Sequence, residues 1–452
     1  MPKTTDVRAE EVRFDYEDYR YRTPIKFGGA VVNQVTLLNV RVLVRTRAGS
    51  EAWGFGSMPL GNVWSFPSRR LPYAETLLAM KRLAERLVEV TARNRETGHP
   101  LDIHHWLEPL YFEAAAGVAA ELNLPEPIPR LCTLVAASPI DAAIHDGFGK
   151  ANGINCYQGY GAGYVSHDLG FYLDASFNGT YLDRYVAQTP KPEMPVYHLV
   201  GALDPIFESD LGCRIGDGLP ETLGEWIAAD GLTHIKVKLD GGDLEWDCQR
   251  VLAVNRAAEA AQAARGVANW FYSLDFNERC SNPEYVLEFL RRVECASPAA
   301  FERVQYIEQP TARDLKANPQ NRMHEVAKIK PVVIDESLLD YESLLLAREL
   351  GYSGVALKAC KGQSGSLLMA AAARQFNMFL CVQDLTCPGA SLLHSAGLAA
   401  HVPTVAAIES NGRQYVPAAN EPWKERFPGI FRIVGGRMQT GVLDGPGLGV
   451  VP

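Results

Sequence analysis

Two lysines spaced two apart, three isolated carboxylates and a further lysine are the residues of this chain whose types and spacing could do chemistry. Lys236 and Lys238 stand in THIKVKL (233–239), where strand alternation puts both on one face and Val237 on the other. Asp275, Glu308 and Asp335 close the runs NWFYSLD (269–275), VQYIEQ (304–309) and VVIDE (332–336), and Lys358 closes GVALKA (354–359). Carboxylates gathered in one place repel, and each holds a proton unless a cation offsets them. Oxygen ligands of this hardness suit Mg²⁺, or Mn²⁺ in its place. No HxH or HxxxH spacing argues for zinc. A lysine serves as a base only when partly neutral, and neighbouring cations lower its pKa. Lys236 and a metal would do this for Lys238. Asn277 shares the face of Asp275 and could bond substrate or a metal-bound water. Glu336 rivals Asp335 as a ligand but should project the opposite way, and Lys361 reads as a surface charge on a turn. The plain alternative is solvated strand ends and simple salt bridges. Inward-facing charges in such numbers disfavour it, because burying them uncompensated is costly.

These residues need a frame that brings strand ends together. From Pro195 onward, short β-rich runs alternate with amphipathic segments: 196–202, 233–239, 269–275, 304–309, 332–336, 354–359, 378–383 and 405–409, with helices predicted at 247–264, 283–293, 341–349, 364–375 and 390–400. Such alternation is the signature of a parallel (β/α) barrel, whose strand C-termini converge on one mouth. Strands two and six of eight lie on opposite sides of the ring, so Lys238 and Lys358 should face each other. A doubly wound open sheet would show GxGxxG after its first strand, and none is present. The first 155 residues read as α+β. VVNQVTLLNVRVLVRTR (31–47) is a hairpin strand, 74–94 a helix with Leu77, Met80, Leu83 and Leu87 on one face, and 138–150 a helix with Ser138 as N-cap and Pro139 at its first position. Residues 156–194, rich in Gly, Tyr and Pro, read as a connector or insertion.

With 452 residues the chain exceeds the roughly 250 of one barrel. A net charge of −9 disfavours a duplex nucleic-acid partner. MPKTTDVRAEEVRFDYEDYR contains no apolar signal region and no stretch is long enough to span a bilayer; nine cysteines without CxxC spacing fit reduced thiols. The expectation is a cytoplasmic protein without a membrane partner, in which the sequon at Asn178 is a chance occurrence.

The motifs KVK (236–238), DFN (275–277), EQP (308–310), DES (335–337) and LKACK (357–361) resemble, in order and spacing, the muconate-cycloisomerase-like group of the enolase superfamily. PIDAAIHDGFGKANG (139–153), DGPGLGV (444–450) and YRTPIKF (21–27) extend the resemblance over most of the chain. It implies a modified TIM barrel (195–414) with an α+β capping domain built from 1–155 and 415–452. It further implies Asp275, Glu308 and Asp335 as metal ligands, Lys238 and Lys358 as the acid/base pair, and Lys236 as an anchor for a substrate carboxylate. The implied reaction is removal of a proton alpha to a carboxylate, giving an enediolate. Racemisation, epimerisation and cycloisomerisation lead, with syn-dehydration as the alternative. A homo-oligomer assembled through barrel faces is also implied. The segments 21–29 and 54–66 would be capping loops with glycine hinges. The chain departs from the pattern in insertions near 157–192 and 207–219, and in lacking a histidine at the seventh strand end, where Gln383 and Asp384 stand. Asp384 and Glu409 are candidate substrate contacts. A Schiff-base lyase using one of the lysines, and a non-catalytic binder on the same scaffold, are the competing functions; the acidic strand ends count against the first.

Overall fold

The computed structural model describes residues 2–27 and 30–450. Strands β1 (Val7–Phe27), β2 (Ala30–Thr46) and β3 (Glu51–Pro59) form an antiparallel sheet in that order. The predicted strand at 31–47 is its centre. The charged N-terminal segment forms β1; its alternating Glu, Arg, Asp and Tyr suit one solvated face. The helices Tyr73–Arg93 and Arg130–Ala151 pack on this sheet, and Pro100–Glu121 packs against both of them. The last begins well before Ser138, which is buried and donates to the Val135 carbonyl, and Pro139 lies inside the helix. The expected start was therefore wrong. A buried run from Leu131 to Ala137, apolar but for Thr133, carries the helix through a site that would otherwise cap it.

The glycines expected to act as hinges have another purpose. A Cβ on Gly54 would lie 1.9 Å from the Ala143 carbonyl oxygen, and one on Gly56 would lie 2.0 Å from that of Pro139. They let β3 lie directly on the helix Arg130–Ala151. Of the other expected loop, 21–27 is the end of β1, and Gly28 and Gly29 fall outside the described residues.

Eight parallel strands close into a barrel: β4 (Met194–Val200), β5 (His234–Lys238), β6 (Phe271–Asp275), β7 (Val304–Glu308), β8 (Val332–Ile334), β9 (Gly354–Leu357), β10 (Phe379–Val382) and β11 (Ile408–Glu409), with β11 pairing back to β4. Their residues are buried on both faces because helices cover the outside. All five predicted crossover helices are present, as Leu244–Arg265, Pro283–Ala296, Tyr341–Glu349, Gln363–Gln375 and Ala390–His401. Asp243, Asn282 and Asp340 cap three of them, fixing where each leaves its loop. Short helices at Leu223–Asp230 and His324–Ile329 were not anticipated.

The segment 156–194, expected as a connector or insertion, packs into the body of the protein. Tyr157, Tyr160 and Phe177 are fully buried, and short helical turns run through it. Downstream, Arg437–Met438 pairs antiparallel with the start of β4, and the Leu448 amide donates to Asp146 on the helix Arg130–Ala151. Among the described residues, no helix is long and apolar enough to cross a membrane.

Candidate active site

Barrel register brings the charged strand ends level. Lys238 pairs with Asp275 across β5 and β6, and Asp275 with Glu308 across β6 and β7. Lys236 Nζ lies 2.8 Å from Glu308, 2.8 Å from Glu409 and 3.1 Å from Asp275. Lys238 forms an ion pair with Asp275. Across the mouth, Lys358 Nζ is 2.8 Å from Asp335 Oδ2 and donates to the Asp384 carbonyl at 3.3 Å. All of these side chains are buried. The sequence-predicted lysines and acids thus form one cluster, but not each in its expected posture. Lys361 was read as a surface charge; it is buried, 3.0 Å from Asp335 Oδ1, because the helical turn Ala359–Lys361 folds it back over the mouth. Both Asp384 carboxylate oxygens accept backbone amides, Thr386 at 2.8 Å and Asn411 at 3.1 Å, so this residue ties two loops together. Glu409 is shared between Lys236 and the Asn411 side-chain amide, which donates to it from Nδ2 at 3.0 Å.

A second ring of groups was not legible as a motif. Trp64, from the turn after β3, donates its indole N–H to Glu336 at 2.9 Å and sets its ring 4.5 Å from Lys358 Nζ. Glu336 is therefore buried behind the mouth. Arg313 donates to the Trp64 carbonyl at 3.0 Å and pairs with Glu278. Gln309 Oε1 accepts the Asp335 amide at 2.9 Å and the Ser337 amide at 3.2 Å, holding the end of β8. Gln309, Asn277 and Glu278 all have positive φ, at 30°, 44° and 60°. Such strain is kept where surrounding contacts over-determine the backbone. The only sequence signal for Trp64 was its place in a loop expected to cap the mouth.

Electrostatics follow from burial and pairing. Burial opposes the charged form of Asp275, but Lys238 and Lys236 outweigh it and hold its carboxyl below the usual range. Asp335 behaves likewise: Lys358 and Lys361 bring it to about 2 against the burial cost. Glu308 is pushed well up by burial and by the charge of Asp275. Burial, then the Asp335 charge, raises Glu336 to about 7; burial, then Glu409, raises Asp384 to about 7. At Lys358 burial works downward, but the adjoining Asp335 carboxylate wins and raises the ammonium.

Among the described residues, no three His, Cys, Asp or Glu side chains converge into a ready coordination sphere, because ammonium groups stand between the carboxylates. The donor chemistry nevertheless fits a hard divalent cation. Asp275, Glu308 and Asp335 offer only oxygen from three adjacent strand ends, and Glu336 Oε2 beside them is buried without a hydrogen bond. Two clefts open beside this cluster. One, of about 680 Å³, runs between Trp64, Glu336, Asn277 and the capping sheet; the other, of about 390 Å³, reaches Lys238.

The barrel, its cap and this ring of strand-end charges define a class of capped (β/α)-barrel proteins. The family model described as "Enolase C-terminal domain-like" matches residues 219–452, just over half the chain. The chain belongs to the enolase superfamily, within its mandelate racemase/muconate lactonizing family. Solved structures with the same fold include a dipeptide epimerase from Enterococcus faecalis V583, complexed with Mg and L-Leu-L-Tyr. It is 14% identical with a TM-score of 0.63, over 98% of this chain and 99% of that one. The L-Ala-D/L-Glu epimerase from Bacillus subtilis is 15% identical with a TM-score of 0.61, over 98% and 99%. The muconate lactonizing enzyme from Pseudomonas fluorescens, complexed with muconolactone, is 16% identical with a TM-score of 0.60, over 98% and 96%. No protein with a curated description matches the sequence.

Proposed function

We propose that the protein is a Mg²⁺-dependent isomerase or lyase that removes the proton alpha to the carboxylate of a small acid. The observation that carries this reading is the placement of Lys238 and Lys358 at the ends of the second and sixth barrel strands, with acidic ends on the three strands between. The Mg-complexed relatives of the same fold support the choice of metal. Asp275, Glu308 and Asp335 would hold the ion, which supplies positive charge against the two carboxylate oxygens when bound. In the proposed step the substrate C–H bond breaks, its proton passes to the neutral amine of a lysine, and its electron pair delocalises into the carboxylate. Lys236, fixed by three carboxylates, contributes a stationary positive charge to the resulting dianion. Asn277 lines both clefts and is positioned to hydrogen-bond the substrate; Glu409 acts by fixing Lys236.

If both lysines exchange protons, the outcome is racemisation or epimerisation. A second reading, with Lys238 as sole base and Lys358 acting by charge, gives cycloisomerisation or syn-elimination. One contrast favours the second: Lys238 lines the 390 Å³ cleft, whereas Lys358 borders only a cavity of about 100 Å³, under the Trp64 ring and bound to Asp335 and the Asp384 carbonyl.

Alpha-proton exchange in D₂O across a carboxylate library tests the proposal. Lys238→Ala should lower exchange by about 10²–10⁴. Two-base chemistry predicts that Lys358→Ala leaves exchange of one stereoisomer only. One-base chemistry predicts that Lys358→Arg is tolerated better than Lys358→Ala. Full exchange in Lys238→Ala would sink the assignment, and covalent trapping by borohydride with a carbonyl substrate would favour the Schiff-base alternative.

A further inference from the structure

The loop after β6 carries an exposed guanidinium, that of Arg279, whose one ion pair among the described residues is a loose one. Asn277 and Glu278 both take left-handed backbone conformations, and the turn is held by Glu278 N–H to the Gln309 carbonyl at 2.7 Å and Cys280 N–H to that of Pro310 at 2.8 Å. Glu278 turns back to grip Arg313, while Asn277 and Arg279 line both clefts. Arg279 is fitted against Gly241, which has φ of 72°: a Cβ there would lie 2.8 Å from the Arg279 Cβ. Its guanidinium makes no side-chain hydrogen bond among the described residues, only a 3.7 Å approach to Asp240.

The charges around it are uneven. In the larger cleft Glu278 is consumed by Arg313 and Glu336 is held by Trp64, leaving Arg69 and Arg279 facing a wall of Val63, Phe66 and Leu71. In the smaller cleft Asp240 and Asp243 oppose Lys26 and Lys238, and Asp243 already caps the helix Leu244–Arg265. An added anion is therefore better accommodated on the Arg69 side. A planar fork of donors is the protein group best matched to carboxylate or phosphate oxygens. A cleft of about 680 Å³ also exceeds what a substrate ending at its reacting carbon would fill.

We propose that Arg279 is a specificity-determining residue that binds a second oxyanion, carboxylate or phosphate, at the end of the substrate remote from the alpha carbon. This rests on the alpha-proton reading for the first carboxylate. The substrate class is then an elongated acid with two anionic ends and an apolar middle.

Binding can be measured without turnover, by calorimetric titration of the full-length protein in Mg²⁺ with glutarate, 4-phosphonobutyrate and pentanoate. At least one dianion should bind about 10–100-fold more tightly than pentanoate, the effect expected of a charge-assisted hydrogen bond. Which dianion gains assigns the oxyanion. In Arg279→Met, which keeps the Cβ packing on Gly241, the advantage should vanish while pentanoate binding is unchanged. Arg279→Lys should retain part of it. Dianions that bind no better than pentanoate, or an advantage surviving in Arg279→Met, would overturn the proposal. A protein that shows the Arg279-dependent preference yet exchanges no alpha proton would instead refute the reaction and leave this site standing.

Discussion

Replacing Asp141 tests how the cap positions the chemistry. Its Oδ2 accepts the Ser364 amide at 2.7 Å and its Oδ1 accepts the Ser364 hydroxyl at 2.8 Å. The Ser364 proton is thereby spent, so His145 must donate from Nε2 at 2.8 Å and accept at Nδ1 from the Tyr160 hydroxyl at 2.9 Å. One capping-helix carboxylate thus caps the barrel helix Gln363–Gln375, which directly follows the turn carrying Lys358 and Lys361. The same turn is tied down by Ser366, whose hydroxyl donates to the Lys358 carbonyl at 2.8 Å. Asp141→Ala removes two charge-assisted hydrogen bonds and leaves a buried N–H unsatisfied, a loss of about 3–4 kcal/mol after relaxation. For a chain of this length, that corresponds to a melting shift of only about 3–4 °C. The functional effect should be larger in proportion. Loosening the turn moves Lys358, and misplacement by about 1 Å can cost on the order of 100-fold in rate. We expect alpha-proton exchange to fall about 10–100-fold with substrate affinity little changed, and Asp141→Asn, which keeps one acceptor, to recover part of both losses. Calorimetry and exchange measured by NMR read the two effects separately. An Asp141→Ala protein with unchanged melting and unchanged exchange would refute the claim that the cap sets the lysine.

Exhaustive chelation should abolish activity and added Mg²⁺ restore it, and Glu308→Gln should weaken Mg²⁺ binding in a titration more than Glu336→Gln, whose carboxylate is occupied by Trp64. Gly54→Ala, placing a methyl 1.9 Å from a helix carbonyl, should cost more than about 3 kcal/mol or abolish soluble expression, whereas Gly153→Ala, where nothing lies within 4 Å, is strained by its φ of 68° alone and should cost about 1–2 kcal/mol. Burial lowers His145, His234 and His401 to about 4 and His394 to about 3. The unfolded chain therefore binds more protons at these histidines between those values and about 6.5, and stability should be lost as pH falls through that window, by about 2 kcal/mol per histidine at pH 5, offset in part by Glu336 and Asp384, whose raised carboxyls take up protons in the folded state over the same range. Denaturant midpoints measured from pH 7 to pH 5 check the slope, and a midpoint that rises on acidification would contradict it.

The sequence by itself determined the barrel and the inventory of its mouth. A period-two pattern ending in a charge, repeated with helices between, has few other solutions, and strand alternation alone puts Lys236 and Lys238 on one face. Both facts are local, and local regularity is legible in a single chain. What the tertiary structure decided is who partners whom. Lys361 is a site residue because a helical turn folds it onto Asp335, and Asp384 is a backbone tie because Asn411 arrives from another strand end. Trp64 reaches Lys358 and Glu336 from far away in sequence, and Gly54 and Gly56 serve close packing on a helix rather than hinge motion. No spacing rule encodes such contacts, since each depends on where two separately folded elements come to rest against one another. The helix Arg130–Ala151 shows the same principle in reverse: a Ser-Pro pair that locally signals a helix start lies in mid-helix, because burial of the apolar run before it outweighs the local preference.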